Sequence, residues 1–161
     1  NRPEFSTLTL LFVSFLMTIP SIALFGLLIP ALAPMGMGVG VAPAVIALVL
    51  YSLLPIVRNT YVGLNEIPNP VVRAAKGLGM TDWQVMRRIK LPLAMPAILT
   101  GVRVASVLGV GIASVAAYIG GGGLGRWIFG GIRRNYPEMM LAGALAVALL
   151  ALLIDALLSY L

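Results

Sequence analysis

VVRAAKGLGMTDWQVMRRIKLP, residues 71–92, is the longest polar interval in a chain that is otherwise mostly apolar. It holds Arg73, Lys76, Arg87, Arg88 and Lys90, five of the eleven basic residues. Asn69-Pro70, just ahead of it, reads as a helix start, with Asn69 as N-cap and Pro70 at the first helical position. Val71, Val72, Ala74, Ala75 and Leu78 make one apolar face of that helix. Gly77 and Gly79 weaken it, and Gly79 suits the left-handed conformation that closes a helix end. Thr81 and Gln84 have capping-box spacing, so a second helix is expected there. Trp83, Met86 and Ile89/Lys90 recur at three- to four-residue steps, with Arg87 and Arg88 on other faces. Pro92 is expected to end this helix or begin the next. The expected product is two short helices joined at a glycine and lying along a membrane surface.

Outward from this stretch the chain is built for a bilayer. Of 161 residues, 60% are hydrophobic and 10% are charged, and the mean hydropathy is +1.04. Soluble domains carry about 25% charged residues, so the composition is that of an all-α integral membrane protein. Four spans are expected at about 6–29, 41–62, 92–119 and 137–161, each long enough at ~1.5 Å per residue to cross a core of roughly 30 Å. Pro20 is expected to kink the first span, either as a tolerated irregularity or as a hinge. Residues 30–40 form an uncharged turn-rich loop. The third span carries small residues in a four-residue step from Ala97 through Gly101, Ala105 and Gly109 to Ala113. Such a stripe packs closely on a neighbouring helix or, along part of its face, lines a pore. Residues 120–136, GGGGLGRWIFGGIRRNY, read as a glycine-rich loop making a re-entrant or interfacial turn. They lack the Gly-Lys-Ser/Thr of a P-loop and the strand of a dinucleotide fingerprint. The chain begins at Asn1 and shows no signal peptide, so an N-terminal part of a longer protein is expected to be missing.

With four spans, Arg2 and the segment from Arg58 to Lys90 put seven basic residues on one side. Arg126, Arg133 and Arg134 put three on the other. Positive charge stays inside, so the loop of residues 63–91 is expected to face the cytoplasm. The net charge of +6 is thereby a matter of topology, and nucleic acid is not an expected partner. Two charges fall within spans. Arg103 lies about 16 Å along the third span, and Asp155 lies deep in the last, towards the same cytoplasmic side. Intramembrane charges are costly and mark function by default. Three readings stand: Arg103 snorkels while Asp155 ends its helix near water, the two pair across the bundle, or Arg103 lines a translocation path.

The 71–92 stretch resembles the cytoplasmic "EAA" loop of the membrane subunits of bacterial ABC importers. That pattern is Glu-Ala-Ala, three residues, Gly, nine residues, then Ile-x-Leu-Pro. Ala74, Ala75, Gly79, Ile89, Leu91 and Pro92 match it with the spacing intact, and Arg73 stands where the pattern has Glu. The segments IPSIALFGLLIP (19–30), YSLLPIVRNTYVGL (51–64), RAAKGLGMTDWQV (73–85) and IGGGGLG (119–125) resemble the osmoprotectant permeases, with methionine importers similar in the loop and the glycine-rich segment. The resemblance implies a single transmembrane domain, present in part. Its family core has five or more helices, of which about four are visible here, with a pair of cytoplasmic coupling helices. It implies a bacterial inner-membrane protein partnered by cytoplasmic ATPase subunits, a second permease chain (identical or homologous), an external substrate-binding protein and the lipid bilayer. It also implies that Arg73, Ala74, Ala75, Gly79, Thr81, Trp83, Met86, Ile89, Leu91 and Pro92 couple to the ATPase. The implied solutes are glycine betaine, choline, carnitine and related quaternary ammonium compounds, held in the binding protein by cation–π attraction.

Function as a mover of solute agrees with the inventory of side chains. There is no histidine and no cysteine, hence neither the usual general base nor a thiolate metal site. No catalytic residue, cofactor or metal is expected, and ATP hydrolysis would belong to a separate subunit. Alternatives are an ABC permease for another small solute such as methionine, an ion-gradient-driven transporter or channel, and a membrane scaffold. A gradient-driven transporter needs coupling residues in its spans, and only Arg103 and Asp155 offer themselves.

Overall fold

A computed structural model describes Leu11, Ser14, Phe15 and residues 18–160. The described residues are mostly helical, with no strand among them. In chain order the helices are α1 (Ser21–Leu32), α2 (Val41–Asn65), α3 (Asn69–Gly77), α4 (Asp82–Ile119), α5 (Gly125–Arg134) and α6 (Pro137–Leu158). Three of them, α2, α4 and α6, are long and apolar enough to cross a membrane, whereas Ser21–Met35 is a shorter apolar helix.

The bundle is organised by α2 and α4, which run antiparallel. Gly40 donates its N–H to the Ile119 carbonyl at 3.0 Å at one end. Gly109 faces Leu48 in the middle, and Gly63 faces Ala94 and Ala97 at the other end. The four-residue stripe of small residues is what permits this approach. A Cβ on Gly101 would stand 2.7 Å from the Pro55 carbonyl oxygen and 2.9 Å from Asn59 Cβ. Gly101 and Ala105 are buried, while Ala113 at the end of the stripe is exposed. Lipid tails are as apolar as leucine, so the attraction here is dispersion between backbones brought close. Leu24 and Phe25 of α1 complete the core with Ala44, Ala47, Tyr51 and Ala116.

Several elements differ from the sequence expectation. Pro20 does not kink a continuous first span. It is extended (φ −56°, ψ 140°) and caps α1, and the buried Tyr51 hydroxyl donates to the Ile19 carbonyl beside it. A side chain from α2 thus satisfies backbone at the break. Residues 6–10, 12, 13, 16 and 17 of the expected span, and Arg2 in the charge count, lie outside the described residues.

Residues 125–134 are not loop but the amphipathic helix α5. Its glycines lie at two contacts: Gly125 is buried against Ser114 and Ala117 of α4, and Gly130 and Gly131 against Met139 and Met140 of α6. Gly131 lies against the Met140 backbone, and Gly143 of α6 lies against Trp127 and Ile128, so α5 and α6 form an antiparallel hairpin. Asn135 closes α5 in the left-handed conformation (φ 49°, ψ 47°). Beyond this hairpin α6 presents Leu141, Leu145, Leu149, Leu153 and Leu157, all more than half exposed, as an apolar outer face.

The largest departure concerns Pro92, which neither ends one helix nor begins another. The helix capped by Thr81 runs without interruption from Asp82 to Ile119. It passes through one π-helical turn at Met86–Lys90, where Leu91 donates to the Met86 carbonyl five residues back. Proline offers no N–H and crowds the carbonyl four residues before it. A π turn directly upstream gives that carbonyl room, and such insertions are tolerated within helices.

Candidate functional site

The polar stretch folds as a hairpin of α3 and the start of α4. The first helix begins one residue earlier than expected. Pro68 is the N-cap residue, and Asn69 makes no capping bond. Its end is a Schellman closure: Gly79 at φ +81° donates to the Lys76 carbonyl at 2.9 Å, and Met80 donates to the Ala75 carbonyl at 3.2 Å. The two bonds satisfy carbonyls that a helix end otherwise leaves open. The next helix starts with a reciprocal capping box. The Gln84 N–H donates to Thr81 Oγ1 at 3.3 Å, and the Thr81 N–H donates to Gln84 Oε1 at 2.8 Å.

An ion pair not expected from the sequence spans the turn. Lys76 Nζ lies 2.7 Å from Asp82 Oδ1, with both side chains exposed. The Lys76 ammonium, hydrogen-bonded to Asp82, holds that carboxyl below its usual range. An exposed pair adds little stability; this one bridges the two helices across the Gly79 turn. The spacing, six residues across a glycine turn, follows no helical rule that would have revealed it.

Burial sorts the expected face differently. Ala75 and Val85 are buried; Val85 was not among the residues expected to matter. Leu78, on the apolar face of the first helix, is 85% exposed, and Trp83 is 70% exposed. They flank the Gly79 turn as an apolar tip. Arg73, Ala74, Gly79 and Thr81 are exposed on the same hairpin. Met86, Leu91 and Pro92 are exposed along α4, with Ile89 partly covered. Arg87 and Arg88 are exposed within the π turn. A cavity of about 570 Å³ separates the hairpin from the end of α2, with Asn65, Asn69, Lys76, Asp82 and Lys90 among its lining. Among the described residues no acidic cluster stands at metal-binding distance. The hairpin is largely exposed, cationic at the edges and apolar at its tip.

The second set of residues lies in the bundle. Arg103 of α4 and Asp155 of α6 meet in a bidentate pair, Nε to Oδ1 at 2.5 Å and Nη2 to Oδ2 at 2.6 Å. The planar fork of a guanidinium matches a carboxylate in this way. The pair links the two long helices near the end of α6.

Two predictions arise at these sites. Thr81→Ala removes one half of the capping box, a loss of about 1 kcal/mol. Hydrogen exchange at the Gln84 amide is expected to accelerate about fivefold, the equivalent of that energy; unchanged exchange would mean that the box does not hold the helix start. Arg103→Gln or Asp155→Asn alone is expected to lower folded yield, because each strands a charge. The double substitution is expected to recover part of that loss. Yields of detergent-extracted monodisperse protein from the four chains decide the matter, and simple additivity would show that the two side chains act independently.

Comparison with known proteins places these features in context. The family model of the binding-protein-dependent transport system inner membrane component matches residues 2–161. The chain is 50% identical over 140 residues to the osmoprotectant import permease protein OsmW of Salmonella typhimurium, covering 87% of this chain and 65% of that protein. It is 43% identical over 144 residues to the glycine betaine/carnitine/choline transport system permease protein OpuCB of Bacillus subtilis, covering 89% and 64%. It therefore spans slightly less than two thirds of the length of these relatives. In fold it is similar to a chain from an inward-facing structure of the MetNI methionine ABC transporter, with a TM-score of 0.82 and 25% identity over 99% of this chain and 74% of the other.

Proposed function

This chain belongs to the inner membrane components of binding-protein-dependent transport systems, and on that premise we propose that it is the permease of an ATP-driven importer for quaternary ammonium osmoprotectants. The observation that carries the coupling half of this reading is the continuity of α4. One helix begins at the exposed hairpin and ends at the opposite face of the bundle. A contact made at the hairpin is thereby transmitted into the membrane.

In this reading the Leu78/Trp83 tip seats in a groove of a cytoplasmic ATPase. Arg73, Ala74, Ala75, Gly79, Thr81, Met86, Ile89, Leu91 and Pro92 shape or support it. Closure of two ATPases around ATP moves two such hairpins, one from each permease chain. The bundle then exchanges an inward- for an outward-facing path, the states being biased by what the ATPase binds better. Loop 63–91 faces the cytoplasm, and an external binding protein delivers the solute. The solute class rests on the relatives, whose names specify osmoprotectants, glycine betaine, carnitine and choline. Methionine has the weaker support of a 25% identical structure.

The test is uptake of radiolabelled glycine betaine by cells that lack other betaine systems and express the full-length permease with its ATPase and binding protein. Uptake is expected to cease when ATP is depleted and to survive collapse of the ion gradients. Uptake that follows the gradient and ignores ATP would assign a secondary transporter. Uptake of methionine and not betaine would keep the class and change the solute.

A further inference from the structure

The cavity of about 570 Å³ between the hairpin and the end of α2 lies where the bundle meets the membrane surface. Gly63 of α2 packs against Ala94 and Ala97 of α4. One step further along each helix, Leu64 and Asn65 of α2 and Met86 and Lys90 of α4 line the cavity. Helix α2 ends at Asn65, and the apolar run of α4 begins at Leu91. We propose that this cavity holds the headgroup of an anionic phospholipid, with its phosphodiester on the Lys90 ammonium.

Charge and burial at Lys90 carry the argument. Arg87, Arg88 and Lys90 belong to the same π turn. Arg87 and Arg88 are exposed, whereas Lys90 is partly covered and lines the cavity. Long basic side chains ordinarily reach for water, and an ammonium held under cover without a counter-charge is costly. The other charged groups in the lining are Lys76 and Asp82. They are 2.7 Å apart and neutralise one another. Lys90 adds to the field at the Asp82 carboxyl, but among the described residues it forms no ion pair of its own. The lining is left with one positive charge. The helix ends do not change this sign. The last turn of α2 at Asn65 and the first turn of α3 at Asn69 present opposite ends of their dipoles to the same space.

A lipid phosphodiester fits that charge. It carries one negative charge, which Lys90 matches. A phosphate monoester carries about 1.5 to 2 at neutral pH, and the surplus would stand beside Asp82. Asn65 and Asn69 are exposed, and Asn69 makes no capping bond, so their amides are available to donate to phosphate oxygens. Ile67, Val72 and Met86 in the lining offer apolar surface to the glycerol and the first methylenes. Basic pockets beside transmembrane helices hold lipid headgroups by this combination. The inference draws on neither the solute nor the importer reading.

The assembled transporter with its full-length permease, stripped of lipid in detergent, provides the test. It is titrated with palmitoyl-oleoyl phosphatidylglycerol or with phosphatidylcholine of the same chains, and native mass spectrometry counts the lipids retained by the permease. The first phosphatidylglycerol is expected to bind about fivefold more tightly than phosphatidylcholine, the contribution of one basic residue at a membrane surface. Equal affinity overturns the proposal. Lys90→Gln is expected to abolish that preference. Arg88→Gln removes the same charge from the same turn but outside the cavity, and is expected to leave the preference intact. Equal loss in both variants would show a diffuse surface field and overturn the site. Excess inorganic phosphate is expected not to displace the lipid; displacement would assign a site for free phosphate instead. Should Lys90→Gln fail to assemble, the parent's preference and its resistance to phosphate still decide.

Discussion

Replacing Gly79 with valine is expected to leave the chain in the membrane at near-normal level and to abolish ATP-dependent uptake. Gly79 lies outside every long apolar helix, so insertion does not depend on it. Nothing stands within 4 Å of where its Cβ would be, and its φ is +81°. The penalty is therefore backbone strain with no steric contribution from neighbours. An L-residue in this region loses on the order of 1–2 kcal/mol, and a β-branched one is a marked outlier there. Relief requires the Schellman bonds from Gly79 and Met80 to open. The Lys76–Asp82 pair and the capping box at Thr81 then no longer share one geometry, and the Leu78/Trp83 tip comes apart. The measurement is co-purification with a tagged ATPase alongside betaine uptake. Gly79→Asn, which tolerates the left-handed conformation better, is expected to retain much of both. If Gly79→Val binds the ATPase and transports like the parent, the hairpin is not the docking element.

Valine at Gly101 is expected to fail earlier, at assembly of the bundle. A Cβ there meets the Pro55 carbonyl oxygen at 2.7 Å, Asn59 Cβ at 2.9 Å and Ile56 Cα at 3.1 Å. Two of the three are backbone atoms of α2, and the carbonyl also accepts from Asn59 Nδ2 at 2.8 Å. No flexible side chain can swing aside. The helices must separate, which sacrifices contacts along the whole α2–α4 seam. Overpacking of this kind costs about 1–3 kcal/mol, equivalent to a melting temperature lower by roughly 2–10 °C. Thermal unfolding of purified protein followed by size-exclusion recovery reads this out. Valine at Gly111, where nothing lies within 4 Å, is the matched control and is expected to melt within 2 °C of the parent, on the order of the shift for 0.5 kcal/mol. A parent-like Gly101→Val would show that the seam is looser than its geometry implies.

Features written locally were legible in the sequence. The capping box needs only Thr81 and Gln84 three residues apart, and the left-handed closure needs only a glycine after a helical run. Apolar runs at 41–62 and 92–119 placed the long helices because length and composition decide insertion. What escaped depended on partners distant in the chain. The glycines of α5 argue for a loop by propensity, yet they are present because Ser114 and Met140 leave no room for side chains. Leu78 falls on the apolar face by helical period, yet among the described residues nothing covers it. Pro92 looked like a terminator because a π turn has no sequence signature. Arg103 and Asp155 could be named, since charge within a span is conspicuous. That their forks meet edge to edge depends on the crossing of α4 and α6, which no single helix encodes.

The unbroken run of α4 has a mechanical consequence. Its 38 residues make a rod of about 57 Å. Tilting such a rod by about 10° around its midpoint sweeps each end through ~5 Å, close to one helical pitch. A rigid rod pivoting near Arg103 would carry a displacement at Trp83 to its other end with opposite sign and equal size, as a seesaw does. The π turn at Met86–Lys90 lies between Trp83 and that pivot, so its stiffness would set how much of such a stroke passes along the rod.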